Sequence, residues 1–81
     1  MTERIINKNF ALSASFNRYV IAHPDTTLNL PKNSFVIFAD SSDAQLSRIN
    51  RKLAHDIPKS SGRIFCATKK GTIWKLEPVS K

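Results

Sequence analysis

The sequence predicts a small mixed α/β (α+β) domain, a two-layer α-β-α-β-β arrangement with a three-stranded mixed sheet. Three observations carry this. Residues 34–39, Ser-Phe-Val-Ile-Phe-Ala, are apolar on both alternating faces, which marks a strand covered on both sides. On each side of this run, residues 7–22 and 42–57 repeat their apolar side chains at spacings of three and four, as a helix lying on a sheet does. Two further short apolar runs flank Lys70-Gly71, a hairpin signal.

The first helix is expected over 7–22, with Asn7 as N-cap and His23-Pro24 as its stop, because the residue before a proline is pushed out of the helical region. Phe10, Leu12, Ala14, Phe16, Tyr19 and Val20 form its apolar stripe. The stretch from Pro24 to Asn33 reads as an ordered connector anchored by Leu28 and Leu30. The strand 34–39 then reads as the interior strand of the sheet.

Ser42 with Gln45 fits a capping box, and Asp43 suits the positive end of the helix dipole, so the second helix is expected over 42–57, closed by Pro58. Leu46, Ile49, Leu53 and Ile57 mark its buried row, while Arg48, Arg51, Lys52 and His55 mark the exposed one. Strands follow at 63–69 and 72–77. A two-residue loop would set Lys69 opposite Thr72, Ala67 opposite Trp74 and Phe65 opposite Leu76, which puts Phe65, Ala67, Trp74 and Leu76 on one face.

A strand, a crossover helix and a second strand should pair parallel, and the hairpin then adds an antiparallel strand. Two helices most simply cover one face of such a sheet. The other face, with Ile64, Cys66 and Ile73, would then be apolar in patches, so either the first helix covers it or another chain does. Phe10, Phe16, Val36, Phe38, Leu46, Ile49, Leu53, Phe65 and Trp74 are the expected core.

With 81 residues the chain makes one domain, 1–81, close to the size at which a single core just offsets chain entropy. A hydrophobic fraction of 41% is too high for a disordered chain and too interrupted for a membrane span. The N-terminal stretch lacks the pattern of a secretory signal, and the single cysteine, Cys66, excludes an internal disulfide. Both favour a reducing compartment.

The net charge of +7 is unevenly placed. Up to Ser47, four basic residues (Arg4, Lys8, Arg18, Lys32) balance four acidic ones (Glu3, Asp25, Asp40, Asp43). From Arg48 onward, nine basic residues stand against Asp56 and Glu77, so the whole excess lies in the C-terminal part. That asymmetry suits an anionic partner, although a charge of this size also serves solubility alone.

Asn7-Lys8-Asn9-Phe10, Leu12-Ser13, Phe16, Arg18-Tyr19 and His23-Pro24, with Pro31 shortly before the apolar strand, resemble the opening of a small family of uncharacterised prokaryotic proteins of unknown function. The resemblance lies in about residues 7–40. It implies an α/β build and a cytoplasmic protein of a bacterium or archaeon, and it implies no activity.

Little in the sequence points to catalysis. A two-histidine acid and base pair, as in some nucleases, would need His23 and His55 beside one phosphate, and nothing in the sequence brings them together. Cys66 lies inside a predicted strand, where a thiol behaves as a small hydrophobe. One cysteine and two separated histidines offer no metal-ligand pair, and Gly62 and Gly71 build no phosphate-cradling loop. No cofactor, metal or catalytic residue is expected.

Two readings follow. In one, the chain binds RNA or DNA, holding phosphates with Arg48, Arg51 and Lys52 on the second helix and Lys69, Lys70 and Lys75 on the hairpin. Trp74 would either stack on bases or, as its shared face with Phe65, Ala67 and Leu76 suggests, belong to the core. In the other, the chain is a protein interaction module, meeting itself or an acidic partner, for example as half of a toxin and antitoxin pair. Steep salt dependence would favour the first; a dimer indifferent to nucleic acid would favour the second.

Overall fold

A computed structural model describes residues 2–28 and 30–79, the side chain of Lys59 excepted; Lys81 lies outside the described residues. Its elements are α1 (Glu3–Ala22), β1 (Ser34–Asp40), α2 (Ala44–His55), β2 (Arg63–Lys70) and β3 (Ile73–Pro78), with single turns of 3-10 helix at Pro24–Thr26 and Lys59–Ser61. β1 pairs parallel with β2, and β2 pairs antiparallel with β3. The chain is thus an α+β domain of two helices and a three-stranded mixed sheet.

α1 starts four residues before the expected Asn7, at Glu3. Thr2 holds an extended conformation and its hydroxyl accepts from the Ile5 N–H at 3.4 Å, and the acidic Glu3 faces the positive end of the helix. The earlier start brings Ile5 into the core, where it is fully buried with Leu12 and Phe16. It also corrects the expected place of Phe10, which lies off this buried row and is 70% exposed. At the other end the His23 N–H bonds to the Tyr19 carbonyl at 2.8 Å, and Pro24 prevents continuation.

The strand order is β1-β2-β3, so β2, not the expected β1, is the interior strand. The reason lies in α2, which covers the outer edge of β1. The Ser47 hydroxyl accepts from the Asp40 N–H at 3.1 Å and donates to the Asp43 carbonyl at 2.9 Å, while the Asn50 amide donates to the Phe38 carbonyl at 2.8 Å. Side chains thereby take the place of a neighbouring strand, satisfying backbone groups that burial would otherwise leave unpaired. An apolar pattern on both faces reports covered faces; it is silent about which edge is paired.

Asp43, not the expected Ser42, is the N-cap of α2, accepting from the Leu46 N–H at 3.1 Å. Ser42 is engaged elsewhere: its N–H and its hydroxyl both donate to Asp40, at 2.9 and 2.7 Å. The helix buries Leu46, Asn50 and Ala54, one residue per turn, and leaves the expected core residue Leu53 45% exposed.

The hairpin closes on Gly71-Thr72, with Lys70 opposite Ile73, Lys69 opposite Trp74 and Ala67 opposite Leu76. This corrects the expected register by two residues, because β2 runs on through Lys70 and Gly71, at φ 63°, forms the first loop position. A slip of two keeps every side chain on its face, so Phe65, Ala67, Trp74 and Leu76 share one side as expected. At the start of β2, Gly62 at φ 142° lies against the Asn33 carbonyl, where a Cβ would collide. The Arg63 N–H then bonds to that carbonyl at 2.9 Å, which starts β1 and β2 in step.

α1 crosses the face that carries Phe38, Ala67 and Trp74. Ile5, Leu12, Phe16, Leu46, Ala67 and Trp74 form the buried cluster, with Val36, Phe38, Ile49 and Leu76 packed against it. Phe16, Phe38 and Trp74 meet edge to face with centroids 5.1 to 5.9 Å apart, the geometry aromatic quadrupoles favour. Trp74 is therefore core. On the other face Ala39, Ile64 and Cys66 are buried too. α2 joins α1 on the first face through Leu46 and Ile49, and from the β1 edge its Arg51 and His55 reach a cleft lined by Cys66 and Thr68 of the other.

Candidate nucleic-acid interface

Two groups of cations emerge once the charges are placed, and they differ in what surrounds them. In the N-terminal half, Arg4 reaches Asp43 at 3.1 Å and Gln45 at 2.6 Å, and Lys8 reaches Asp40 at 3.4 Å. Asp40 is buried, which pushes its carboxyl up, yet the Ser42 N–H and hydroxyl and the Lys8 ammonium outweigh this and hold it below the usual carboxylate range. Asp43 is also held low, first by the Leu46 N–H and then by Arg4. These two acids fix α1 against the β1–α2 corner.

Among the described residues the cations of α2 have no such partners. Arg48, Arg51, Lys52 and His55 are exposed and line a shallow groove together with Ala44 and Ser47. Spacings of three and four residues put them on one helix flank, opposite Leu46 and Asn50. Among the described residues the ion pairs are Arg4–Asp43, Lys8–Asp40 and Lys75–Glu77, so none involves Arg48, Arg51 or Lys52.

Arg51 and His55 also form one wall of a cleft of about 250 Å³, whose other wall is Cys66, Thr68, Glu77, Pro78 and Val79 from β2 and the end of β3. Glu77 reports on its surroundings. Its carboxyl is lowered by a hydrogen bond from Lys75 at 3.0 Å and by that residue's charge, and further by the charges of Lys70 and Arg51. Arg51 from the helix and Lys70 and Lys75 from the hairpin therefore border one surface.

Of the six cations predicted from sequence, five lie toward this side. Lys69 does not: it is half-buried on the opposite sheet face, in register with Trp74 and with Asp40 of β1. Glu77 and Thr68 were missed by the sequence reading. The available signal was the alternation of β3, which sets Lys75 and Glu77 on one face, the face shared with Cys66 and Thr68.

The thiol of Cys66 is buried, 3.6 Å from the Thr68 hydroxyl. His23 is engaged at the end of α1, its ring stacked on Tyr19 with centroids 4.2 Å apart and its Nδ1 lying 3.1 Å from the Tyr19 carbonyl. His55 belongs to the α2 groove. Among the described residues no group of three or more His, Cys, Asp or Glu is placed to hold a metal ion, and no helix is long and apolar enough to cross a membrane.

A model of the family of unknown function DUF5647 matches residues 4–79, a span that takes in the second helix and the basic hairpin as well as the segment whose resemblance was legible. No curated protein and no solved structure matches the chain.

Proposed function

Because the chain belongs to the DUF5647 family, whose function is unknown, its activity has to be inferred from its own surface, and we propose that it is a non-catalytic module that binds RNA or DNA through phosphates. One observation carries this: Arg48, Arg51 and Lys52 stand exposed on a single helix flank without an acidic partner among the described residues. Lys70 extends the positive field across the cleft, where Lys75 is already paired with Glu77. A polyanion is the partner that such a row fits, because each neutralised phosphate releases a bound counterion. With Trp74 buried, its indole is not a stacking platform, so affinity rests on charge and sequence preference is weak. The proposed compartment is the cytoplasm, where the free thiol of Cys66 stays reduced.

The test is fluorescence anisotropy with short RNA and DNA oligonucleotides at low salt. Reversing Arg48, Arg51 and Lys70 to Glu should abolish binding, whereas reversing Arg18 and Lys32, which are exposed and remote from this flank in sequence, should leave it nearly unchanged. Equal losses from both sets, or no binding by the wild type, would reject the reading and favour an acidic protein partner instead.

A further inference from the structure

We infer that the chain forms a two-fold homodimer through one flank of α1, with the two copies of the helix packed antiparallel. Successive residues of a helix are rotated by about 100°, so Ile6, Phe10, Asn17 and Ile21 fall on one flank, bordered by Ser13 and Ala14. This flank is turned away from the buried row of Ile5, Leu12 and Phe16, and its large apolar side chains face solvent: Ile6 is 42%, Phe10 70% and Ile21 81% exposed. A monomer seldom leaves three such side chains aligned along a helix of twenty residues.

The pattern along the flank selects a second copy as its occupant. A two-fold axis between Ser13 and Ala14 sets Ile6 against Ile21 of the second copy. Phe10 then falls against Asn17 and the small Ala14 of that copy, so the largest side chain meets the least crowded part of the opposing helix. The small residues at the centre let the backbones approach, and the surface is self-complementary as an isologous interface requires.

Charge points the same way. Two copies of a +7 chain repel each other, and they can dock only where neither presents its excess. The cations of α1 are Arg4, Lys8 and Arg18, all off this flank, with Arg4 and Lys8 already paired with Asp43 and Asp40, and the one charge on the flank is Glu3 at its N-terminal end. The other candidate, the free edge of β3, carries Lys75 and Glu77 and ends at Pro78, a composition that discourages strand pairing. A nucleic acid would be drawn to the cations of α2, not to an apolar flank that carries no cation.

Sedimentation equilibrium over a wide concentration range tests the assembly. The wild type should show a reversible monomer–dimer equilibrium, and Phe10→Glu should shift it to monomer with an unchanged circular dichroism spectrum, because Phe10 is not in the core. Single cysteines in a Cys66→Ser background test the geometry. Ala14→Cys, beside the axis, should oxidise to a covalent dimer, while Ala11→Cys, on another flank, should not. A wild type that is monomeric throughout, a Phe10→Glu protein that still dimerises, or faster crosslinking through Ala11→Cys would each overturn the inference.

Discussion

The corner where α1 meets β1 and α2, and the flank of α2 that faces the hairpin, carry the same kinds of charge and use them differently. At the corner, Arg4 and Lys8 are spent on Asp43 and Asp40, and the carboxylates also hold the Leu46 N–H and both donors of Ser42. On the flank, Arg48, Arg51 and Lys52 hold nothing among the described residues. Charge count alone does not locate a binding surface. Cations that tie down helix starts and buried acids contribute to folding, and only those left over are available to a partner.

A flank that held the fold together would be as sensitive to substitution as the core. Phe16→Ala, which empties the centre of the Phe16–Phe38–Trp74 cluster, should cost about 3–5 kcal/mol, a large fraction of the stability of so small a domain. Arg48→Ala and Arg51→Ala should each change stability by less than about 0.5 kcal/mol. Chemical denaturation at pH 7 checks both. Comparable losses from the core and flank variants would mean that the α2 cations hold the fold.

Asp40→Ala removes the acceptor of two Ser42 donors and the partner of Lys8, and should cost about 1–3 kcal/mol at neutral pH. The folded carboxyl titrates below its ordinary range, so its contribution is fully present above the unfolded value of about 3.9 and is lost as pH falls through the lower folded value. The gap in melting temperature between wild type and Asp40→Ala should therefore be constant from pH 7 to about pH 4 and narrow below it. A gap that stays constant to the end of the acid range would place the loss in packing instead of charge.

Much of the fold was legible because it rests on local signals. The proline after His23, the loop at Gly71 and the apolar spacing of α2 set the elements, and parallel pairing of β1 with β2 follows from the helix between them. What failed depended on side chains meeting across long separations. Ile5 lies before the expected start at Asn7, and once the Thr2 cap extends the helix it falls on the face of Leu12 and Phe16, from which Phe10 is turned away. β1 reads as an interior strand because a helix edge, through Ser47 and Asn50, hides its unpaired side.

The candidate site was legible in part for a related reason. Arg48, Arg51 and Lys52 lie one helical turn or less apart, so periodicity places them on one flank whatever the fold. Lys69 was grouped with them because it neighbours Lys70, yet neighbours in a strand point to opposite faces. Which acids neutralise Arg4 and Lys8 was invisible, since Asp43 and Asp40 lie more than thirty residues away from them.

The most direct measurement is the salt dependence of nucleic-acid affinity for the wild type and for single alanine variants. If the α2 flank and the hairpin hold phosphates, log K should fall linearly with log salt, and replacing Arg48, Arg51 or Lys70 should each flatten the slope by about 0.9, while Arg18→Ala and Lys32→Ala leave it unchanged. A slope that is the same in all five variants, or flattened as much by Arg18→Ala as by Arg51→Ala, would contradict the assignment of the unpaired cations to a phosphate surface.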